Sequence, residues 1–368
     1  MTRRIALVCP YALGVFGGVQ EQVLAMSREL TRRGDEVLVL APDATDLDTY
    51  DTTATIRHYG RLRSVPANGS RAPITLSLRG ARRARGDAAA FAPDVVHFHE
   101  PFAPLVGWGV LRAHAAPAVA TFHRSGDGPA FTLTRPLLRR LASNVDASAA
   151  VSALAATTIE HAVALVPVVL FNGFEAERFV ATPRERGAAT ILVTVGRLEQ
   201  RKGTRVAIEV VRAHNRRGVD PWHLVVIGEG PERAALERAA DADPCITFTG
   251  ALDDVQKRRW LRRASAVIAP ALHGESFGLV LLEAMASETP VVASDIPGYR
   301  EAAGGHATLF APSDAAGLER AVLSALADES PVRLDAARAH AQHWSMRALV
   351  DAYEALYERA RDRFHTAR

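Results

Sequence analysis

Short, almost unbroken apolar runs alternate with longer segments of helical spacing along the whole chain, and they do so in two rounds. The first round comprises "IALVCPY", "EVLVLAP", "DVVHFHE", "AVATFH", "SAAVS" and "VVLFNGF". After the polar stretch "EAERFVATPRERGAA" the rhythm restarts with "TILVTVG", "HLVVIGEG", "ITFTG", "AVIAPAL", "PVVASD" and "ATLFAP". Strands that are continuously apolar are buried on both faces, as in a parallel sheet covered by helices; a one-sided sheet gives alternation instead. The pattern predicts an α/β chain of two doubly wound, Rossmann-like domains, residues 1–171 and 172–347. A last helical pattern, "SMRALVDAYEALYERARDRF", has no strand after it and predicts a helix over about 348–368 that packs back on the first domain. A length of 368 residues agrees with two domains rather than one core. Such domains bind ligands at the carboxyl ends of their strands, so the expected site is a central cleft that both face.

Charge and cysteine usage narrow the function classes. The net charge is only +3, and no dense basic stripe with interleaved aromatics occurs, so no nucleic-acid partner is expected. The two cysteines, Cys9 and Cys245, form neither a disulfide framework nor a metal site, which suits a reducing compartment. No apolar run approaches a membrane span, and the one in "MTRRIALVCPY" is too short for a signal peptide. The expected location is the cytoplasm, with at most a peripheral place on the inner face of the cell membrane. Of 44 basic residues all but Lys202 and Lys257 are arginine, a compositional skew that reflects a GC-rich coding sequence rather than function. Residues 1–170 hold 18 arginines against 14 acidic residues, so the basic excess lies in the first half.

The segment "HGESFGLVLLE" puts Glu275 and Glu283 eight positions apart. If a loop runs here into a helix, Glu275 lies just ahead of the N-terminus and Glu283 about two turns in, the layout of a clamp on a bipartite ligand. Gly274, Ser276, Phe277 and Gly278 bring backbone amides to that helix start, where a sugar diphosphate can sit. The neighbours of Glu283 are apolar, so its carboxylate needs a partner. Earlier, "GRLEQRKG" delivers Arg197 and Lys202 after a strand, with Gly203 at a helix start. Fixed positive charge plus unpaired backbone N–H groups suit a diphosphate. Two solvated loop charges are the plainer alternative, less economical for so scarce a lysine. "VVIGEGPE" adds Gly228 and Gly230, where the backbone turns sharply or approaches a ligand. In "GALDD", Leu252 is placed to abut a base and Asp253 to cap the next helix.

This array resembles the second domain of family 4 glycosyltransferases of the GT-B fold, whose retaining E-x7-E pair would be Glu275 and Glu283. The resemblance implies an enzyme that uses a nucleotide-diphosphate sugar. By it, Arg197 and Lys202 hold the diphosphate, Glu283 holds the ribose, and His123 of the first domain reaches the donor sugar. Gly18, Gly228, Leu252, Ser276, Phe277 and Gly278 also belong to the donor side. On the acceptor side, "VCPYALGVFGGVQEQV", "VPANGSRA", "HFHEP", "ATFHRS" and "PALHGESFG" are most similar to the actinobacterial phosphatidylinositol mannosyltransferases. That likeness implies GDP-mannose as donor, an inositol phospholipid as acceptor, and no obligatory metal or other cofactor. Tyr11, Gln20, Asn68, Ser70 and Arg71 would then surround the inositol phosphate, with Arg124 beside His123.

The chain departs from that pattern at Gly14 or Val15, where the family has an acidic residue, at Phe16 in place of proline, and at Arg124 in place of a small hydroxyl residue. A UDP-sugar donor, or inositol phosphate or a natural product as acceptor, therefore stays open. So does a nucleotide-sugar-binding protein without turnover, although both glutamates and both cations occur together. For membrane contact the candidates are Arg79, Arg82, Arg83 and Arg85, and a second segment, "AFTLTRPLLRRLASN", that interleaves leucines with arginines. A basic cluster beside an amphipathic helix suits an anionic membrane surface, and a solvated face with its leucines in the core is the alternative. "DLD" (Asp46, Asp48) and "DAD" (Asp241, Asp243) are expected to be loop and cap residues. "HFHE" has the residue types of a metal site, but alternating side chains of a strand point to opposite faces, which predicts core or cleft histidines at His97 and His99.

Overall fold

The computed structural model describes residues 2–14, 17–42, 52–67, 70–103, 105–113, 115–123, 129–180, 187, 189–218, 220–275, 277–328 and 330–366. Of the residues named above, Val15, Phe16, Asp46, Asp48, Asn68, Arg124 and Ser276 lie outside these, as do the side chains of Ser70 and Arg71. The chain forms two units, Met1–Gly173 with Met346–Arg368, and Phe174–Ser345.

Unit 1 holds β1 (Arg4–Val8), β2 (Glu36–Pro42), β3 (Thr55–Tyr59), β4 (Leu62–Ala67), β5 (Ser70–Thr75), β6 (Val95–His99), β7 (Ala118–Phe122), β8 (Ala147–Ala150) and β9 (Val168–Val169). Seven strands make one parallel sheet in the order β3-β2-β1-β6-β7-β8-β9, while β4 and β5 pair separately as an antiparallel hairpin. Every residue of β6 and β7 is buried, as continuous apolar runs require. The strand β3, "TIRHY", alternates because it sits at the sheet edge, exposed on one side. Unit 2 holds β10 (Thr190–Val195), β11 (Trp222–Ile227), β12 (Ile246–Gly250), β13 (Ala266–Ala269), β14 (Val291–Ser294) and β15 (Thr308–Phe310), in the order β12-β11-β10-β13-β14-β15. Its pairings are likewise parallel.

In each sheet the strand order reverses once, between β1 and β6 in unit 1 and between β10 and β13 in unit 2. Successive crossovers leave in opposite directions there, so the loops after those strands diverge and open a crevice at their carboxyl ends. The last helix, Met346–Thr366, belongs to unit 1 for a legible reason. Met346, Leu349, Val350, Tyr353, Leu356, Tyr357 and Ala360 recur at helical spacing and are all buried, the helix packing on β7, β8 and the helix Gly18–Arg32. Polar contacts add to this: Arg3 Nη2 bonds Asp35 at 2.7 Å and Glu354 at 2.9 Å.

Candidate active site

At the reversal point of unit 2, the loop after β10 meets the loop after β13. The first passes through a short 3-10 turn, Gln200–Lys202, into the helix Thr204–Asn215. One glycine lets these two loops touch, and a second lets the loop after β11 reach the first of them. Gly203 has φ +66, and a side chain there would stand 1.9 Å from the Pro270 carbonyl oxygen; one at Gly228 would stand equally close to that of Gly196. The glycine of "VVIGEGPE" at 228 thus serves backbone against backbone, and the Leu272 N–H donates to the Arg201 carbonyl at 2.7 Å.

Glu275 comes off the second loop and receives two cations: Lys202 Nζ at 2.8 Å and Arg201 Nη1 at 2.5 Å. Arg201 also donates to the Gly274 carbonyl and to Glu199, and Glu199 in turn holds Arg197 Nε at 3.2 Å. Arg197, with its side chain 62% exposed, is the open end of this chain of charges. The enclosed space beside Lys202 measures only about 10 Å³, one water's worth, so a larger anion must meet the lysine from the open side. Burial, and then the neighbouring Glu275 carboxylate, push the Tyr299 phenol well up. The Tyr299 ring in turn packs against Gly278, where φ is +100 and a Cβ would lie 2.6 Å from the ring.

Glu283 sits on the helix Leu279–Ala286, which starts without a side-chain cap. Burial fixes that helix instead: Leu281, Leu282 and Met285 are fully inaccessible, each contributing about 1.5–3 kcal/mol. Phe277 anchors its entry against Trp344, with ring centroids 4.6 Å apart. The partner that Glu283 required is Lys257, at 2.8 Å from the helix Asp254–Arg263. The two lysines of the chain are therefore each bonded to one glutamate of the pair. Leu252 is half-buried in the loop after β12, and Asp253 caps the following helix by accepting the Gln256 N–H at 2.7 Å.

Unit 1 gathers a second cluster at the ends of β6 and β7. His97 and His99 share one face of β6, their rings 4.6 Å apart, because residues two apart in a strand project the same way. The expectation that alternation divides them is corrected on that point. His97 bonds the Tyr357 hydroxyl at 2.8 Å and the Thr121 hydroxyl at 2.7 Å, and Thr121 bonds Tyr353, so the last helix is tied to the strand through a closed polar chain. One step along, His99 Nδ1 lies 3.0 Å from His123 Nε2, and the His123 backbone N–H donates to Glu100 Oε1. Glu100 itself has φ +48, a strained conformation for such a residue. Among the described residues no group of three potential metal ligands gathers.

Desolvation pushes His97 down to about 3 and His123 to about 4, and burial with its histidine neighbours holds His99 well below the usual value. Their folded-state values lie under the unfolded value near 6.5, so the unfolded chain binds more protons below that pH. Stability contributed by these groups is fully present above pH 6.5 and is lost as pH falls. Urea unfolding followed on the unit 1 tyrosines is expected to weaken already between pH 6.5 and 5, before carboxylates titrate. A flat profile there overturns the neutral-histidine assignment.

Gly18, the first residue of the helix Gly18–Arg32, has nothing within 4 Å of a would-be Cβ and no positive φ, so packing does not demand glycine there. Gln20 is buried, its amide 3.4 Å from the Ala12 carbonyl, and Tyr11 is half-buried in the same loop. On the helix Leu78–Phe91, Gly80, Ala81, Ala84 and Ala88 form the buried face; Arg79, Arg82, Arg83 and Arg85 are all exposed. Leu76 and Leu78 beside them are 52% and 66% exposed. The second candidate segment differs: Leu138 and Leu141 of the helix Pro129–Ala142 lie in the core, and only Leu137 among the described leucines faces out.

A model described as Glycosyltransferase Family 4 matches residues 16–178, and one described as Glycosyl transferases group 1 matches residues 189–328. A solved glycosyltransferase structure from Rickettsia africae superposes with a TM-score of 0.74 at 15% identity, covering 98% of each chain. The fold is GT-B, two Rossmann-type units on one chain, and the protein is a glycosyltransferase. A phosphatidyl-myo-inositol mannosyltransferase from Propionibacterium freudenreichii is 33% identical over 99% of this chain and 97% of its own. One from Mycolicibacterium smegmatis is 34% identical over 93% and 91%. The chain belongs to the family 4 glycosyltransferases.

Proposed function

We propose that the protein transfers mannose from GDP-mannose to the inositol of phosphatidylinositol. The observation that carries this is the doubly paired glutamate set, Lys202 with Glu275 and Lys257 with Glu283, at the reversal point of unit 2. The mannosyltransferases to which the chain is similar over most of its length support it. In this reading Arg197, Lys202 and the amides leading to Gly278 bind the diphosphate, with Gly18, Gly228, Leu252, Ser276 and Phe277 around the nucleotide sugar. Glu283 takes the ribose hydroxyls, and Glu275 and His123 the sugar. Tyr11, Gln20, Asn68, Ser70, Arg71 and Arg124 take the inositol phosphate.

A diphosphate arriving at Lys202 and Arg201 competes with the Glu275 carboxylate for the same donors. The carboxylate so released is free to accept from sugar hydroxyls. As the anomeric C–O bond breaks, its electron pair goes to the departing β-phosphate, where fixed cations stabilise the growing charge most effectively because they need no reorganisation. The acceptor oxygen bonds the anomeric carbon on the same face, and its proton passes to the departing phosphate. The exposed Arg79, Arg82, Arg83 and Arg85 would bring the enzyme to an anionic membrane that holds the lipid acceptor.

Incubation with phosphatidylinositol vesicles and radiolabelled GDP-mannose, UDP-glucose or UDP-N-acetylglucosamine tests this. Lipid-extractable label is expected from GDP-mannose alone. Label from a UDP-sugar instead, or transfer only to soluble inositol phosphate, overturns the donor or the acceptor respectively.

A further inference from the structure

The histidine cluster of unit 1 contains an atom that the functional reading leaves unused. His99 Nε2 is buried and finds no hydrogen-bond partner among the described residues. Its other nitrogen, Nδ1, faces His123 Nε2 at 3.0 Å. Two neutral rings can share only one proton across that contact, so two arrangements exist. In one, His123 donates from Nε2; His99 must then carry its proton on Nε2, stranding an N–H in the protein interior. In the other, His99 donates from Nδ1 and its buried Nε2 keeps a bare lone pair. The unengaged N–H then moves to His123 Nδ1, on a half-buried ring and not among the inaccessible unpartnered atoms, where water or a ligand can reach it. Orphaned buried N–H groups are rarer and costlier than under-used acceptors, so the second arrangement wins.

The consequence falls on His123. With Nε2 accepting from His99, its proton sits on Nδ1, which no described residue engages. We propose that His99 is a positioning residue that fixes His123 as its Nδ1–H tautomer, so that His123 offers the transferred sugar a hydrogen-bond donor and not a base. The surroundings hold this arrangement in place. The register sets His99 opposite Thr121, and His99 reaches two residues further to His123, as His97 reaches from its opposite residue, Val119, to Thr121. Glu100 accepts the His123 backbone N–H and so fixes the ring's root, while stacking of His97 on His99 fixes the other ring. Low proton affinity of all three rings keeps them neutral near pH 7.

This deepens the reading of His123 as a sugar-contacting residue and rests on it, but its first test does not need activity. Long-range nitrogen–proton spectra of the full chain, labelled at histidine, report which nitrogen bears the proton. Both His99 and His123 are expected as Nδ1–H tautomers; a protonated Nε2 on His123 overturns the assignment. For function, an asparagine amide superposes on Nδ1 of histidine and a glutamine amide on Nε2. His99→Asn is expected to keep the His123 tautomer and turnover near wild type. His99→Gln and His99→Phe should each lower kcat about ten-fold with the donor KM little changed. Equal turnover in the asparagine and glutamine variants sinks the positioning role. If instead His123→Ala leaves transfer intact while the tautomer is as assigned, the sugar-contact reading falls and the tautomer assignment stands.

Discussion

Glu275→Gln is expected to depress mannose transfer by roughly ten- to a hundred-fold while GDP binds as tightly as before or more so. In the proposed reading the carboxylate supplies a charge-assisted hydrogen bond to the sugar, worth about 1.5–3 kcal/mol, and the neutral amide does not. Free GDP carries no sugar, so it loses nothing. It gains, because Lys202 and Arg201 no longer have a competing anion at 2.8 and 2.5 Å. Glu283→Gln is expected to behave oppositely, weakening GDP directly through the ribose and also loosening the hold of Glu283 on Lys257. Calorimetry with GDP and initial rates on both variants separate the roles. Equal GDP affinity in the two, or weaker binding in Glu275→Gln, ends the assignment of one glutamate to sugar and the other to ribose.

Much of this site is legible in the sequence because it is built from rare residues at strand ends. The twelve apolar runs all contain strands, most of them buried on both faces of a parallel sheet, which leaves little other composition available; the edge strands β9 and β12 are partly exposed. The three strands that were not anticipated, β3, β4 and β5, lack such runs: one alternates at an edge, and the hairpin is broken by Pro66, Pro73 and arginines. The Asn68-Gly69 dipeptide between β4 and β5 was the available signal, a strong hairpin turn sequence.

Arg201 was missed for a statistical reason, because one arginine among 42 carries no information by itself. Lys257 was missed although the same scarcity that singled out Lys202 applied to it; the requirement that Glu283 have a partner pointed there too. What no linear pattern contains is the strand order. β10 and β13 are neighbours only because β11 and β12 go to the far side, and that placement alone brings Glu199, Arg201 and Lys202 to the loop of Glu275.

Reversing Arg82 and Arg83 to glutamate is expected to abolish co-sedimentation with anionic vesicles and transfer to membrane-held acceptor. Each basic residue near an anionic surface contributes about 1 kcal/mol, so removing two attractions and adding two repulsions shifts binding by roughly 4 kcal/mol, or about a thousand-fold. All four arginines of the helix are exposed, and no ion pair among the described residues holds any of them. Leu76 and Leu78 supply apolar contact beside them, whereas the buried Leu138 and Leu141 of the other candidate helix have none to give. Wild-type binding should fade with salt, since surface attraction is screened over about 10 Å at 0.1 M. GDP affinity should not move, because the residues assigned to the diphosphate and ribose belong to unit 2. If the double variant still sediments with anionic vesicles, or wild type binds neutral ones equally well, the arginine face is a solvated surface and the enzyme meets its acceptor without it.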